Sequence, residues 1–209
     1  MRDLGTIDAP GKRTTAPRRS NRRTQILRTT ARLFLENGFD ATSMGEIADV
    51  NQISKPGLYY HFKSKQDLLA AIMHYAMDLT DRAREKIIAQ CTSHEERLRR
   101  MVHEHATGIT KADDATITVL SIDAHNALLP EDRREINRRQ RVHFDFVRET
   151  LEGLKAEGKL CDVDTTVATF NLLGMIWWTA KWYRPGRLTA KVIANEVTKL
   201  VMRSVLRQE

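Results

Sequence analysis

The sequence predicts an all-α protein, with a small three-helix head at the N-terminus and a larger helical body behind it. Two observations predict this. Boxes of the form Ser-x-x-Glu/Asp recur at Ser43-x-x-Glu46, Ser64-x-x-Asp67 and Ser93-x-x-Glu96, each opening an apolar run at helical spacing. No stretch alternates apolar and polar residues as a half-buried strand would. At 209 residues the chain is long enough to bury a real core.

Taken in order, residues 1–20 mix Pro, Gly, Thr and Arg without periodicity and read as a basic arm. Lys12, Arg13, Arg18, Arg19, Arg22 and Arg23 crowd its junction with the first helix. Such an arm either tracks phosphates or the adjacent minor groove, or is a solvated tail. The first helix is expected from about Asn21 to Asn37, burying Ile26, Leu27, Ala31, Phe34 and Leu35, and Gly38 ends it in the left-handed cap position. Ser43 opens a second helix with Met44, Ile47 and Ala48 on its apolar side. A break follows at Asn51-Gln52, where Asn51 is the residue expected to tolerate the left-handed backbone.

Ser54 caps a third short helix, and Pro56 in its first turn loses no hydrogen bond, because the first amides of a helix are unpaired anyway. Leu58 and Phe62, four apart, face inward. Lys55, Gly57, Tyr59, Tyr60 and His61 are left to point outward. That face suits a DNA major groove: Gly57 allows close approach, and hydroxyls and ammonium reach phosphates or base edges. The fourth helix runs from Ser64 to about Ala89. Lys65 lies at its DNA end and its far half lies in the body, so it can act as a lever between them.

Five further helices are expected: Ser93 to about Thr110, Asp114 to Leu129, Pro130 to Gly158, Asp164 or Thr165 to Tyr183, and Thr189 to about Leu206. Charge is uneven along this plan. Residues 1–75 hold 12 Lys/Arg against 7 Asp/Glu, while the remainder holds 22 against 20. A basic first third points to a polyanion at that end. Cys91 and Cys161 form no paired spacing, as expected of solitary thiols in a reducing compartment. The N-terminus lacks the apolar core of a signal peptide and no run approaches membrane-spanning length, so a cytoplasmic location and no membrane partner are expected.

On these residues the chain resembles the TetR family of bacterial transcription regulators. The resemblance is carried by Thr42, Ile47-Ala48, Ile53-Ser54, Gly57-Leu58-Tyr59-Tyr60-His61-Phe62, Lys65 and Leu68. The usual Ala-Gly of the turn is Asn51-Gln52 here. The resemblance implies a helix-turn-helix in residues 21–66, and an effector-binding and dimerisation domain in residues 67–209. From the residues and the resemblance together, the DNA contacts are expected at Thr42, Ser43, Lys55, Pro56, Gly57, Tyr59, Tyr60, His61 and Lys65, with Lys55 near a guanine edge. One head reads only a few base pairs, so the partner is a double-stranded, palindromic operator bound by a homodimer. The helix around Val167–Trp178 is apolar nearly all round and needs cover on every side. A second copy, packing on it and on the last helix, supplies that cover.

The resemblance further implies a small-molecule effector among the middle helices. Candidates to line its site are Met73, Met77, Met101, His105, His125, Phe144, Phe146, Trp178 and Trp182, whose side chains suit an adaptable apolar pocket and equally suit a plain core. The WWTAKWYRP segment is similar to those of family members that respond to acyl-CoA thioesters, with Arg138, Arg139 and Arg141 available to an anion or else forming a solvated face. No cofactor is implied. The histidines lack metal-ligand spacing, and no acid, base or nucleophile constellation suggests an enzyme. A helical enzyme acting on acyl-CoA and an effector-independent DNA-binding protein are the alternatives.

Overall fold

A computed structural model describes residues 16–110, 124–184 and 186–207. Among them are eight α-helices: α1 Ala16–Asn37, α2 Met44–Val50, α3 Lys55–His61, α4 Lys65–Gln90, α5 His94–Ile109, α6 Pro130–Ala156, α7 Thr165–Trp182 and α8 Ala190–Val205. The caps follow local chemistry. Ser43, Ser54, Ser64, Ser93, Asp164 and Thr189 each accept an amide hydrogen bond from the first turn they introduce. Gly38 (φ 86°) turns the chain out of α1, as expected of a residue with no Cβ.

Two expectations change. Helix α1 begins at Ala16 rather than Asn21, so the last residues assigned to the basic arm are helical. The helix expected from Asp114 to Leu129 falls largely on residues 111–123, outside the described residues. Where described, its end is a 3-10 turn, His125–Ala127, and not an α-helix. Pro130 explains the break: it pushes Leu129 into extended backbone (ψ 150°) and restarts the chain as α6.

Two apolar cores result. The head core gathers Ile26, Leu27, Phe34, Ile47, Leu58, Phe62, Leu68, Leu69, Ile72 and Met73. It reaches beyond the head to take in Ala124, Leu128 and Ile136. The body core lies around α5, with Leu98, Met101, Val102 and Ala106 packed against Val147, Leu151, Leu172, Ile176, Ala194 and Val201. Helix α4 feeds both, through Ile72 and Met73 at one end and Ile87 at the other. The seam between the cores is also tied by charge. Arg139 of α6 donates to Asp78 (2.8 Å) and Asp81 (2.9 Å) of α4, and Arg133 donates to the Asn126 and Leu128 carbonyls of the 3-10 turn.

The only pairing of β type among the described residues joins Leu160 and Leu206. The Cys161 amide donates to the Val205 carbonyl (2.9 Å) and the Arg207 amide to the Lys159 carbonyl (2.8 Å). It fastens the end of α8 to the segment before α7.

Candidate nucleic-acid interface and body core

Helices α2 and α3 make the helix-turn-helix, and each is placed by one buried side. Ile47 and Ala48 of α2, with Leu58 of α3 and Phe62 just after it, are sealed in the head core. The α2 cap is a full capping box. The Ser43 amide donates to the Glu46 carboxylate at 2.7 Å, and the Glu46 amide donates back to Ser43 Oγ at 3.2 Å. The Ser43 amide, then its side chain, and more weakly the charge of Lys65 hold the Glu46 carboxyl below its ordinary pKa.

The turn is built differently from expectation. Asn51 is not left-handed; it sits at φ −84° and is buried, its amide donating to the Ile47 carbonyl at 2.8 Å. Gln52 takes the positive φ (53°) instead. Asn51 thus serves as a plug, which its short amide does well, and the strain moves one residue on. Arg22, read from sequence as part of the basic junction, clamps the same turn by donating to the Asn51 carbonyl at 2.7 Å. Its neighbour Arg23 lies over the Phe62 ring at 4.9 Å.

Two of the expected DNA contacts are turned inward. Thr42 is 1 % exposed and its hydroxyl donates to the Gly38 carbonyl at 2.8 Å, so its side chain is not at the surface. Lys65 has three ammonium donors, and all three are taken, by the carbonyls of Phe39 (2.7 Å), Asp40 (3.0 Å) and Thr42 (2.9 Å). The ammonium also rides on the Phe39 ring at 4.5 Å. Lys65 therefore knots the α1–α2 loop, a positioning task beyond the phosphate contact expected of it. No spacing rule announces such acceptors, which lie some two dozen residues away.

The remaining candidates share one outer face. Ser43, Lys55 and Pro56 are exposed and Gly57 half-buried. Tyr59 and Tyr60 are 50 % and 68 % exposed, and the Tyr60 ring packs edge-on against His61 at 5.3 Å. Lys55 lies along Gly45 of α2, where an added Cβ would sit 2.9 Å from Lys55 Cε. A side chain at that position would push the lysine off α2, so Gly45 helps to aim it.

The expected pocket residues do not converge on one place. Met73 is fully buried in the head core and Met77 packs against that same core, so both belong to the seam. His125 sits on the 3-10 turn, its Nε2 2.7 Å from Asn137 Oδ1. Trp178 (67 % exposed) and Trp182 (49 %) lie on the outer face of α7 and not on an interior wall. Arg138 and Arg141 pair with Glu135 and Asp145 on their own helix, while Arg139 is spent on α4. Met101, His105, Phe144 and Phe146 do reach the body core or its edge.

His143 is a buried polar residue outside the expected pocket set. It lies seven residues after Ile136 and four before Val147 on the buried stripe of α6, and a histidine on an apolar stripe was the signal available. It is 5 % exposed and stacks near His105 with ring centroids 4.8 Å apart. Burial first, then His105 and Arg84, push its pKa down to about 3. Burial likewise lowers His105, whose Nδ1 donates to the Met101 carbonyl at 2.9 Å. Among the described residues no three His, Cys, Asp or Glu side chains are placed to hold a metal ion, and no helix is long and apolar enough to cross a membrane.

Comparison with known proteins agrees with this geometry. Residues 26–72 match the family model described as bacterial regulatory proteins, tetR family, and residues 91–205 match that of the tetracyclin repressor-like C-terminal domain. The chain is 31 % identical over 192 residues to the HTH-type transcriptional repressor KstR2 of Rhodococcus jostii (strain RHA1), covering 88 % of this chain and 91 % of that one. Its structure is similar to that of AibR in complex with isovaleryl coenzyme A and operator DNA, with a TM-score of 0.76, 34 % identity, and coverage of 86 % and 97 %. The ketosteroid regulator KstR2 of Mycobacterium tuberculosis shares the fold, with a TM-score of 0.82 at 24 % identity and coverage of 90 % and 96 %.

Proposed function

Because the chain belongs to the tetR family of bacterial regulatory proteins, and is thereby a DNA-binding transcriptional regulator, we propose that it acts in the cytoplasm as a homodimeric repressor of a palindromic operator. In this reading the DNA-binding head runs from the start of α1 at Ala16 to residue 66, and residues 67–209 bind effector and dimerise. The effector is a small, largely apolar molecule, of which an acyl-CoA thioester is the leading class. AibR, 34 % identical, was crystallised with isovaleryl coenzyme A and operator DNA, which supports that class.

The observation that carries the reading is the outer face of α3. Lys55, Pro56 and Gly57 stand at its N-terminal end, and Tyr59, Tyr60 and His61 flank them; Lys55, Pro56 and both tyrosines are exposed and Gly57 and His61 half-buried, while Leu58 and Phe62 seal the other side. Ser43 adds a hydroxyl that accepts from the Glu46 amide and still has its own proton to give. Bases are read at the first residues, phosphates by the hydroxyls.

The body supports dimerisation. Val167, Phe170, Met175, Trp177, Trp178 and Trp182 of α7 are all exposed, and Leu200 of α8 is 58 % exposed. So large an apolar surface on a free monomer would associate. A second copy packing α7 and α8 against their counterparts covers it and sets two heads side by side.

The test is a mobility shift on the intergenic DNA upstream of the gene, with and without acyl-CoA thioesters. Wild-type protein is expected to retard the fragment and to release it on adding one of them. Tyr60→Ala is expected to weaken retardation by about tenfold, the loss of one or two phosphate or base contacts. Undiminished binding by Tyr60→Ala together with Tyr59→Ala would refute the assignment of this face.

A further inference from the structure

A buried polar group without a hydrogen bond needs an explanation, since nearly all such groups in folded proteins have one. His143 carries two: among the described residues neither Nδ1 nor Nε2 has a partner. An imidazole at this place is not explained by packing, because a leucine of similar volume would fill the α6 stripe without burying two polar atoms. Nor does its companion satisfy it. His105 faces it ring to ring, tilted by 37°, and spends its own Nδ1–H on the Met101 carbonyl. Phe146 lies on the same ring system with centroids 6.5 Å apart, and Met101, Val102 and Val147 of the body core line α5 and α6 nearby in sequence.

We propose that His143, backed by His105, is the polar anchor of an internal effector site, donating its ring N–H to a neutral carbonyl oxygen on an otherwise apolar small molecule. This rests on the effector-responsive reading above and names the chemistry of that effector. The ring is held neutral by burial, by the second imidazole and by the Arg84 cation, so it presents one N–H donor and one lone pair. A carboxylate here would be an uncompensated buried charge, because Arg84 is already paired with Asp81 at 2.7 Å. A ketone, ester or thioester carbonyl accepts the proton without bringing charge into the core. Any charged remainder of the molecule must therefore stay outside.

The full-length protein decides the matter in two measurements. In the first, His143→Leu is melted with no ligand added. Removing two unsatisfied polar atoms at nearly constant volume is expected to raise Tm by about 2–4 °C, whereas a histidine with a structural partner would give a lower Tm and overturn the assignment. In the second, calorimetric titration compares isovaleryl coenzyme A with its thioether analogue, in which the carbonyl is a methylene. Wild type is expected to prefer the thioester by about tenfold. His143→Leu is expected to bind both alike, and His143→Gln, which keeps an N–H donor, to recover part of the preference. A preference that persists in His143→Leu, or equal binding by wild type, would overturn the proposal. Should wild type take up neither compound, the acyl-CoA reading of the function falls, and the assignment of His143 stands or falls on the melt.

Discussion

Left-handed backbone at an L-residue costs about 1–2 kcal/mol, and Gln52 carries that cost at the tip of the helix-turn-helix. Gln52→Gly relieves it at the expense of unfolded-chain entropy, so a net gain of about 0.5–1 kcal/mol is expected, seen as a small rise in Tm with operator affinity unchanged. His143 makes the opposite kind of demand. Its folded pKa, about 3, lies below the ordinary 6.5, so the unfolded chain binds more protons between those values. Stability is then complete above pH 6.5 and falls as pH drops below it, by on the order of 2 kcal/mol at pH 5. Denaturant melts of wild type and His143→Leu at pH 7.5 and 5 are expected to show this loss in the first and much less in the second. At this scale the sequence was only half legible. Leu58, Phe62 and the outward Tyr60 follow from helical spacing alone. Thr42, Lys65 and Arg22 do not, because their acceptors are carbonyls of a distant loop or turn, which pattern cannot locate.

Helices were the easiest level to read. Six side-chain caps and the apolar periodicity place most boundaries within a residue or two, since both are local chemistry. Failure came where an element is decided from outside, as at the turn before Pro130, or where an apolar face does not say which partner covers it, as with Trp178 and Trp182. Two connections between elements can be cut. Lys65→Ala removes the three carbonyl bonds that hold the α1–α2 loop and is expected to lower stability by about 2–3 kcal/mol, read as an earlier thermal unfolding of the head. A lysine that merely touched phosphate would leave that melt untouched. Arg139→Gln breaks the tie from α6 to Asp78 and Asp81. The Arg139 side chain is 15 % exposed and those carboxylates 46 % and 23 %, so the loss should fall between surface and buried pairs, about 1–2 kcal/mol by chemical denaturation.

For the molecule as a whole, the two cores share α4, and the head core includes residues of the turn and α6. Helix α6 and that turn are therefore connected to α3 through packed side chains. For an effector to use this connection it must prefer one head spacing over the other by several kcal/mol. Association is testable by itself. Phe170→Glu with Trp178→Glu places two charges on the exposed α7 face and is expected to yield a monomer in sedimentation velocity, with operator affinity lost while the fold persists. An unchanged sedimentation coefficient would remove α7 from the interface.

The stitch between Leu160 and Leu206 has a mechanical result. With the tail of α8 sewn to the strand of chain entering α7, these two helices close into a loop that resists sliding lengthwise past each other. In the dimer proposed above, re-spacing of the two heads is then expected to pivot nearer the DNA, with the rear of each body as the fixed post on which that gate swings.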